Sequence, residues 1–159
     1  MESLYYKVVK ALDYDELANE IMEKLESAET VVFATSAGDR VTARTMCHVN
    51  DGLTILFGTC MTSEKTEQFL KNPNVAFVTG NLQMEAVAQN AGHPDGMPEF
   101  TNKYTKKFPH LGAIYSTTPD SIVVRAEPLK ISLYKLLEGK PCTDVLDVQN
   151  HEACRMQLQ

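Results

Sequence analysis

Residues 41–65 read VTARTMCHVNDGLTILFGTCMTSEK, and the architecture follows from them. Val41 to Val49 alternates in the manner of a strand. Val41, Ala43, Thr45, Cys47 and Val49 share one face, and Thr42, Arg44, Met46 and His48 share the other. Asn50-Asp51-Gly52 is a strong hairpin signal, and Leu53 to Gly58 is the returning strand. Next, Thr59 to Lys65 leaves a strand and opens a helix from Ser63 to Lys71, stopped by Asn72-Pro73. Lys65 falls in the first turn, where a cation opposes the helix dipole at a cost of about 0.3–1 kcal/mol if exposed. A bound anion removes that cost and uses the free N–H groups of the helix start, with Thr59, Thr62 and Ser63 as further donors. Arg44 stands mid-strand and needs a partner if covered. The hairpin can bring Arg44 and Lys65 to one anion. An ion pair of Arg44 with Glu64, Glu67 or Glu85 is the competing reading.

Outward from this stretch, Asp13 to Ala28 reads as a helix capped by Asp13 or Asp15, with Leu17, Ile21, Met22 and Leu25 at helical spacing. Val31 to Thr35 is a β-prone run, and Ala37-Gly38-Asp39 is a turn. Val75 to Thr79 and Leu82 to Gln89 follow as strands, then a loop from Asn90 to Glu99. Phe100 to Tyr115 contains helix, broken near Pro109. Ser121 to Ala126 and Leu129 to Leu136 also read as strand, and after Gly139 the signal weakens. Hairpin-linked strands without strand–helix alternation suggest a mainly β (α+β) chain: a six-stranded antiparallel split β-barrel with flanking helices. With 159 residues and no internal repeat or linker, one domain is expected, its core at about 14–136.

Composition narrows the functions. The hydrophobic fraction of 43% and charged fraction of 23% are those of an ordinary globular chain, and no apolar run is long enough to span a bilayer. A net charge of -6 argues against general nucleic-acid binding, although a few placed cations can still hold one small anion. Met1 to Lys10 has no apolar stretch behind a basic start, so a cytoplasmic chain is expected, with Cys47, Cys60, Cys142 and Cys154 as thiols. Cys47, His48 and Cys60 fit no common zinc spacing, so no metal is expected.

Taken together, Val31 to Ser36, Arg44-Thr45-Met46-Cys47, Phe57-Gly58-Thr59, Ser63-Glu64-Lys65, Asn72-Pro73 and Leu82 to Ala86 resemble, in order and spacing, the pyridoxamine 5'-phosphate oxidase-like FMN-binding split-barrel family. Tyr104 to Leu111 and Ile122 to Leu133 extend the resemblance, which covers roughly residues 14 to 136. It implies FMN at the interface of a homodimer, its phosphate held by Arg44 and Lys65 with Ser63 beside them. It implies a ring lined by the backbone of Thr45, Met46 and Cys47 and by Gly58 and Thr59, with Asn81 where the oxidases proper carry a glutamine. Glu64 stands where the family often has a cation, and Ala86 where it has glycine. The C-terminal region lacks the Arg- and Trp-rich signature for pyridoxamine phosphate, which argues against a vitamin B6 substrate.

The leading functional reading is therefore an FMN-dependent oxidoreductase acting on a small-molecule substrate or electron donor, the flavin supplying the chemistry. A non-catalytic flavin sensor or carrier shares every feature up to the substrate. A flavin-free scaffold and a haem-binding or haem-degrading relative, with His151 as its candidate ligand, are the other readings. His48 is a candidate acid or hydrogen-bond donor beside Arg44, or an interfacial side chain.

Overall fold

A computed structural model describes residues 5–111 and 118–158. The chain runs β1 (Tyr6–Ala11), α1 (Tyr14–Ser27), β2 (Thr30–Ala37), β3 (Arg40–Cys47), β4 (Val49–Asp51), β5 (Thr54–Cys60), α2 (Glu64–Lys71), β6 (Asn74–Thr79), β7 (Leu82–Gly92), a 3-10 turn (Pro94–Gly96), α3 (Pro98–Lys107), β8 (Ser121–Leu137), β9 (Lys140–Asp147) and β10 (Glu152–Leu158). Local chemistry accounts for much of this. Asp13 caps α1 by accepting from the Glu16 N–H at 2.9 Å, and Leu17, Ala18, Ile21 and Leu25 form its buried stripe. Gly38 and Asp39, both at positive φ, make the two-residue turn that joins β2 to β3 and sets their register.

All strand pairs are antiparallel, in the order β1-β10-β9-β8-β7-β6-β2-β3. β5 joins β8 through the pairs Ile55↔Ala126 to Cys60↔Ser121, and β4 adds to β5. The sheet thus curls into a mainly β barrel that is open between β3 and β5, with helices on its flanks. Inside it, the Phe33 ring lies 4.8 Å from both Phe57 and Phe77, among Ile21, Leu25, Ile131, Leu133 and Leu146. A second, smaller cluster forms where Phe100 and Tyr104 of α3 cover Val49, Leu56 and Val123.

The structure extends the expected barrel to ten strands among the described residues. Ser121–Leu137 is one strand, bulged where Pro128 faces Ala86 and Lys130 faces Glu85. Proline cannot donate to the ladder, and the bulge absorbs the defect. β9, β10 and β1 form beyond the expected core. Asp144 of β9 is 1% exposed and receives two bonds from Arg155, 2.6 and 2.8 Å, and one ion pair from Lys135 at 2.8 Å. Lys135 also pairs with Glu20 of α1 at 2.8 Å, so the network ties α1 to the sheet extension. The expected 90–99 loop holds the end of β7, the 3-10 turn and the start of α3. Helix expected across 112–117 lies outside the described residues. Among the described residues no helix is long and apolar enough to cross a membrane.

Candidate functional site

At the barrel opening β3 is the last strand of the path, and α2 follows directly from β5. Pairing with β2 puts Thr42 opposite Thr35 and Arg44 opposite Phe33, so Thr42 and Arg44 turn toward the half-buried side while Val41, Ala43 and Thr45 are exposed. The Arg44 guanidinium donates through Nη1 to the Phe33 carbonyl at 3.1 Å and to Thr35 Oγ1 at 2.8 Å, and through Nη2 to Thr42 Oγ1. It also lies over the Phe33 ring, 5.7 Å from the centroid. Both threonine hydroxyls donate to Gln68 Oε1 of α2, at 2.5 and 2.6 Å.

The second cation lies one helical turn before Gln68. Lys65 Nζ donates to Thr59 Oγ1 at 3.1 Å, and Thr59 Oγ1 lies 3.3 Å from Ser63 Oγ. Thr66 gives its proton to the Cys60 carbonyl at 2.8 Å, so Ser63 must donate across its 2.9 Å contact with Thr66. A chain of hydroxyls therefore runs away from the ammonium. Ser63 occupies the N-cap of α2, yet its side chain makes no capping bond to the first-turn N–H groups.

Charge at this opening is unbalanced. Among the described residues neither Arg44 nor Lys65 forms an ion pair. Glu64 pairs outward with Arg40 at 2.8 Å, Glu67 pairs with Lys71 at 2.8 Å, and Glu85 lies opposite Lys130 across the ladder. Among the described residues none of the three expected competitors forms an ion pair with Arg44, and two of them, Glu64 and Glu67, pair with other cations. Burial, and then the Arg44 charge, hold the Lys65 ammonium below the ordinary lysine range, against an opposing pull from Cys60. Burial also lowers the Arg44 guanidinium, with Glu64 acting the other way. Two cations that feel each other, and that among the described residues bond only to neutral hydroxyls and one carbonyl, are arranged to accept an oxyanion.

The remaining sequence candidates divide. Thr59 and Ser63 belong to the cluster. Gly58 is buried in β5 opposite Val123. Met46 is half-buried against the main core and Cys47 against the second cluster, while Thr45 faces outward. Their backbone runs along β3, the last strand of the path, where one row of N–H and C=O groups has no partner strand among the described residues. Asn81 stands at the β6–β7 turn and donates to the Tyr134 carbonyl at 2.7 Å, with no contact to the Arg44 cluster. His48 is not beside Arg44. β3 ends at Cys47, and the fully buried imidazole lies 3.0 Å through Nε2 from the Leu25 carbonyl at the end of α1. Sequence reasoning missed Thr35, Thr42 and Gln68. The available signal was Gln68 lying three residues after Lys65, on the same helix face.

No family model matches the chain, and the search of curated proteins also found no match. Solved structures do match in fold. A Listeria innocua protein provisionally named a pyridoxamine 5'-phosphate oxidase is 23% identical, with a TM-score of 0.62 over 74% of this chain and 97% of that one. The heme storage protein HutZ of Vibrio cholerae is 14% identical, with a TM-score of 0.58 over 74% of this chain and 91% of that one. ChuZ of Campylobacter jejuni is 13% identical, with a TM-score of 0.71 over 89% of this chain and 63% of that one. The fold is thus the split barrel of the pyridoxamine 5'-phosphate oxidase-like proteins.

Proposed function

We propose that this chain binds FMN through its phosphate at the opening between β3 and β5, as a homodimer, and serves as a flavin-dependent oxidoreductase for a small molecule. One observation carries the reading: Arg44 and Lys65, half-buried and close enough for the Arg44 charge to act on Lys65, bond only to hydroxyls and a carbonyl among the described residues, and Glu64 acts on Arg44 without an ion pair. A phosphate dianion would relieve the repulsion and reach the uncapped first turn of α2. Arg44, Lys65, Thr59 and Ser63 would hold it, with the edge backbone of Thr45, Met46 and Cys47 and the side-chain-free Gly58 beside the ring. Asn81 would reach the ring only from the second subunit, because in its own it bonds to the Tyr134 carbonyl and, among the described residues, no hydrogen bond ties it to the cluster. FMN, when bound, supplies hydride or electron transfer; the protein binds, orients and shields.

A haem reading rests on the name of one structural neighbour. Its candidate ligand here, His151, sits in the β9–β10 turn with its ring 3.8 Å from that of Tyr14, which favours a structural part for it. The test is an FMN titration. Arg44→Ala and Lys65→Ala should each weaken binding by about 1.5–3 kcal/mol, the value of a charge-assisted bond. Unchanged affinity in both variants would overturn the site. Turnover with a reduced nicotinamide and a panel of acceptors then separates enzyme from carrier.

A further inference from the structure

We propose that Gln68 is the positioning residue of this phosphate site, setting the proton order that leaves one edge of Arg44 open to an oxyanion; the inference rests on the FMN reading above. A guanidinium has five N–H donors in a planar fork. Nη1 spends both of its hydrogens, on the Phe33 carbonyl and Thr35, and Nη2 spends one on Thr42. No described residue accepts from Nε or from the second Nη2 hydrogen. Those two hydrogens share one edge, and that edge matches two phosphate oxygens.

A threonine hydroxyl can donate or accept, so Thr35 and Thr42 alone do not fix this arrangement. Their oxygens lie 3.3 Å apart and could bond to each other. Gln68 Oε1 only accepts, and it takes both protons, at 2.5 and 2.6 Å. Both hydroxyls must then turn lone pairs toward Arg44. The amide is 5% exposed, and its Nε2 donates to the Arg40 carbonyl at 3.4 Å, which fixes which end faces the threonines. An amide does this without charge. A glutamate there would accept the same protons and also neutralise Arg44, competing with the phosphate. Lys65 and Gln68 sit one turn apart on α2, so a single helix places both cations.

The experiment compares FMN with riboflavin, which lacks the phosphate, on the full-length chain. Wild type should prefer FMN. Gln68→Leu should keep riboflavin affinity and lose FMN affinity about tenfold or more, the scale of one bond to a charged group. Gln68→Glu should show the same selective loss. If Gln68→Leu does not fold, Thr42→Val decides, with a smaller loss of the same kind. Equal loss for both ligands would mark Gln68 as purely structural, and no loss would mark it as uninvolved; either overturns the proposal while the flavin site stands. Wild type that binds FMN no better than riboflavin overturns the phosphate reading and this inference together.

Discussion

His48 shows how one side chain converts burial into pH dependence. Burial first, then the Lys107 charge, lower its pKa to about 4, against the bond to the Leu25 carbonyl, which raises it. Nδ1 is buried and has no hydrogen-bond partner among the described residues, so a proton there would be poorly placed. Above about pH 6.5 the ring is neutral in the folded and unfolded chain alike. Below that, the unfolded chain takes up a proton that the folded chain refuses until near pH 4. Stability therefore falls as pH falls through this window, by about 2 kcal/mol between pH 7 and 4.5. Urea denaturation at the two pH values should show it, and His48→Gln should flatten the difference; an equal slope in the variant refutes the assignment. This burial was not legible in the sequence, because strand alternation placed His48 beside Arg44 and nothing local marked the end of β3. Arg44 and Lys65 were legible, since a mid-strand arginine and a helix-start lysine both break their local pattern. Thr35, Thr42 and Gln68 break none, and only the tertiary fold brings them together.

Among the helices, α1 and α2 differ at their starts in a way that stability can read. Asp13 accepts a first-turn N–H, so Asp13→Ala should cost about 1 kcal/mol. Ser63 makes no such bond, and Ser63→Ala should cost less than half of that while weakening FMN binding. Paired urea titrations with an FMN titration check both; equal stability losses would mean that Ser63 caps α2 after all. Elements with a clean period or a strong turn were readable: the α1 stripe, the β2–β3 turn and the Asn50-Asp51-Gly52 hairpin. β1 was not, because all six of its residues are exposed and no alternation results. β9 was obscured by the buried Asp144, a charge at a core position. β8 read as two strands because Glu127-Pro128 looks like a stop, and only its neighbour β7 shows the bulge that carries the strand through.

One charged network couples the strands of the sheet extension to α1. Asp144 joins β9 to Arg155 of β10 and Lys135 of β8, and through Lys135 to Glu20 of α1. Burial works to raise this carboxylate's pKa, yet the bonds from Arg155 and Lys135 hold it below the ordinary range. Asp144→Ala takes both bonds from Arg155 and leaves Lys135 with Glu20 alone, and should cost about 1.5–3 kcal/mol in urea denaturation, the scale of a bond between charged groups. The proposed homodimer would add a coupling between copies. Val32 and Val78 are direct cross-strand neighbours, 40% and 42% exposed, and Thr45 of the edge strand lies opposite Val32. Val41, 72% exposed, continues this uncovered surface along β3. A barrel whose interior is filled by Phe33, Phe57 and Phe77 has no room for a flavin ring, so the proposed FMN would have to rest its ring on the outside, where a second subunit could shield it. Val32→Glu puts a charge on that surface without touching the core, so the protomer's own stability at pH 7, apart from what dimerisation adds, should change by no more than about 0.5 kcal/mol. Wild type should sediment as a dimer, and Val32→Glu as a monomer that binds FMN more weakly. A wild-type monomer that binds FMN at full affinity would show that the ring needs no second copy. A variant dimer with unchanged affinity would place the interface on another face of the barrel.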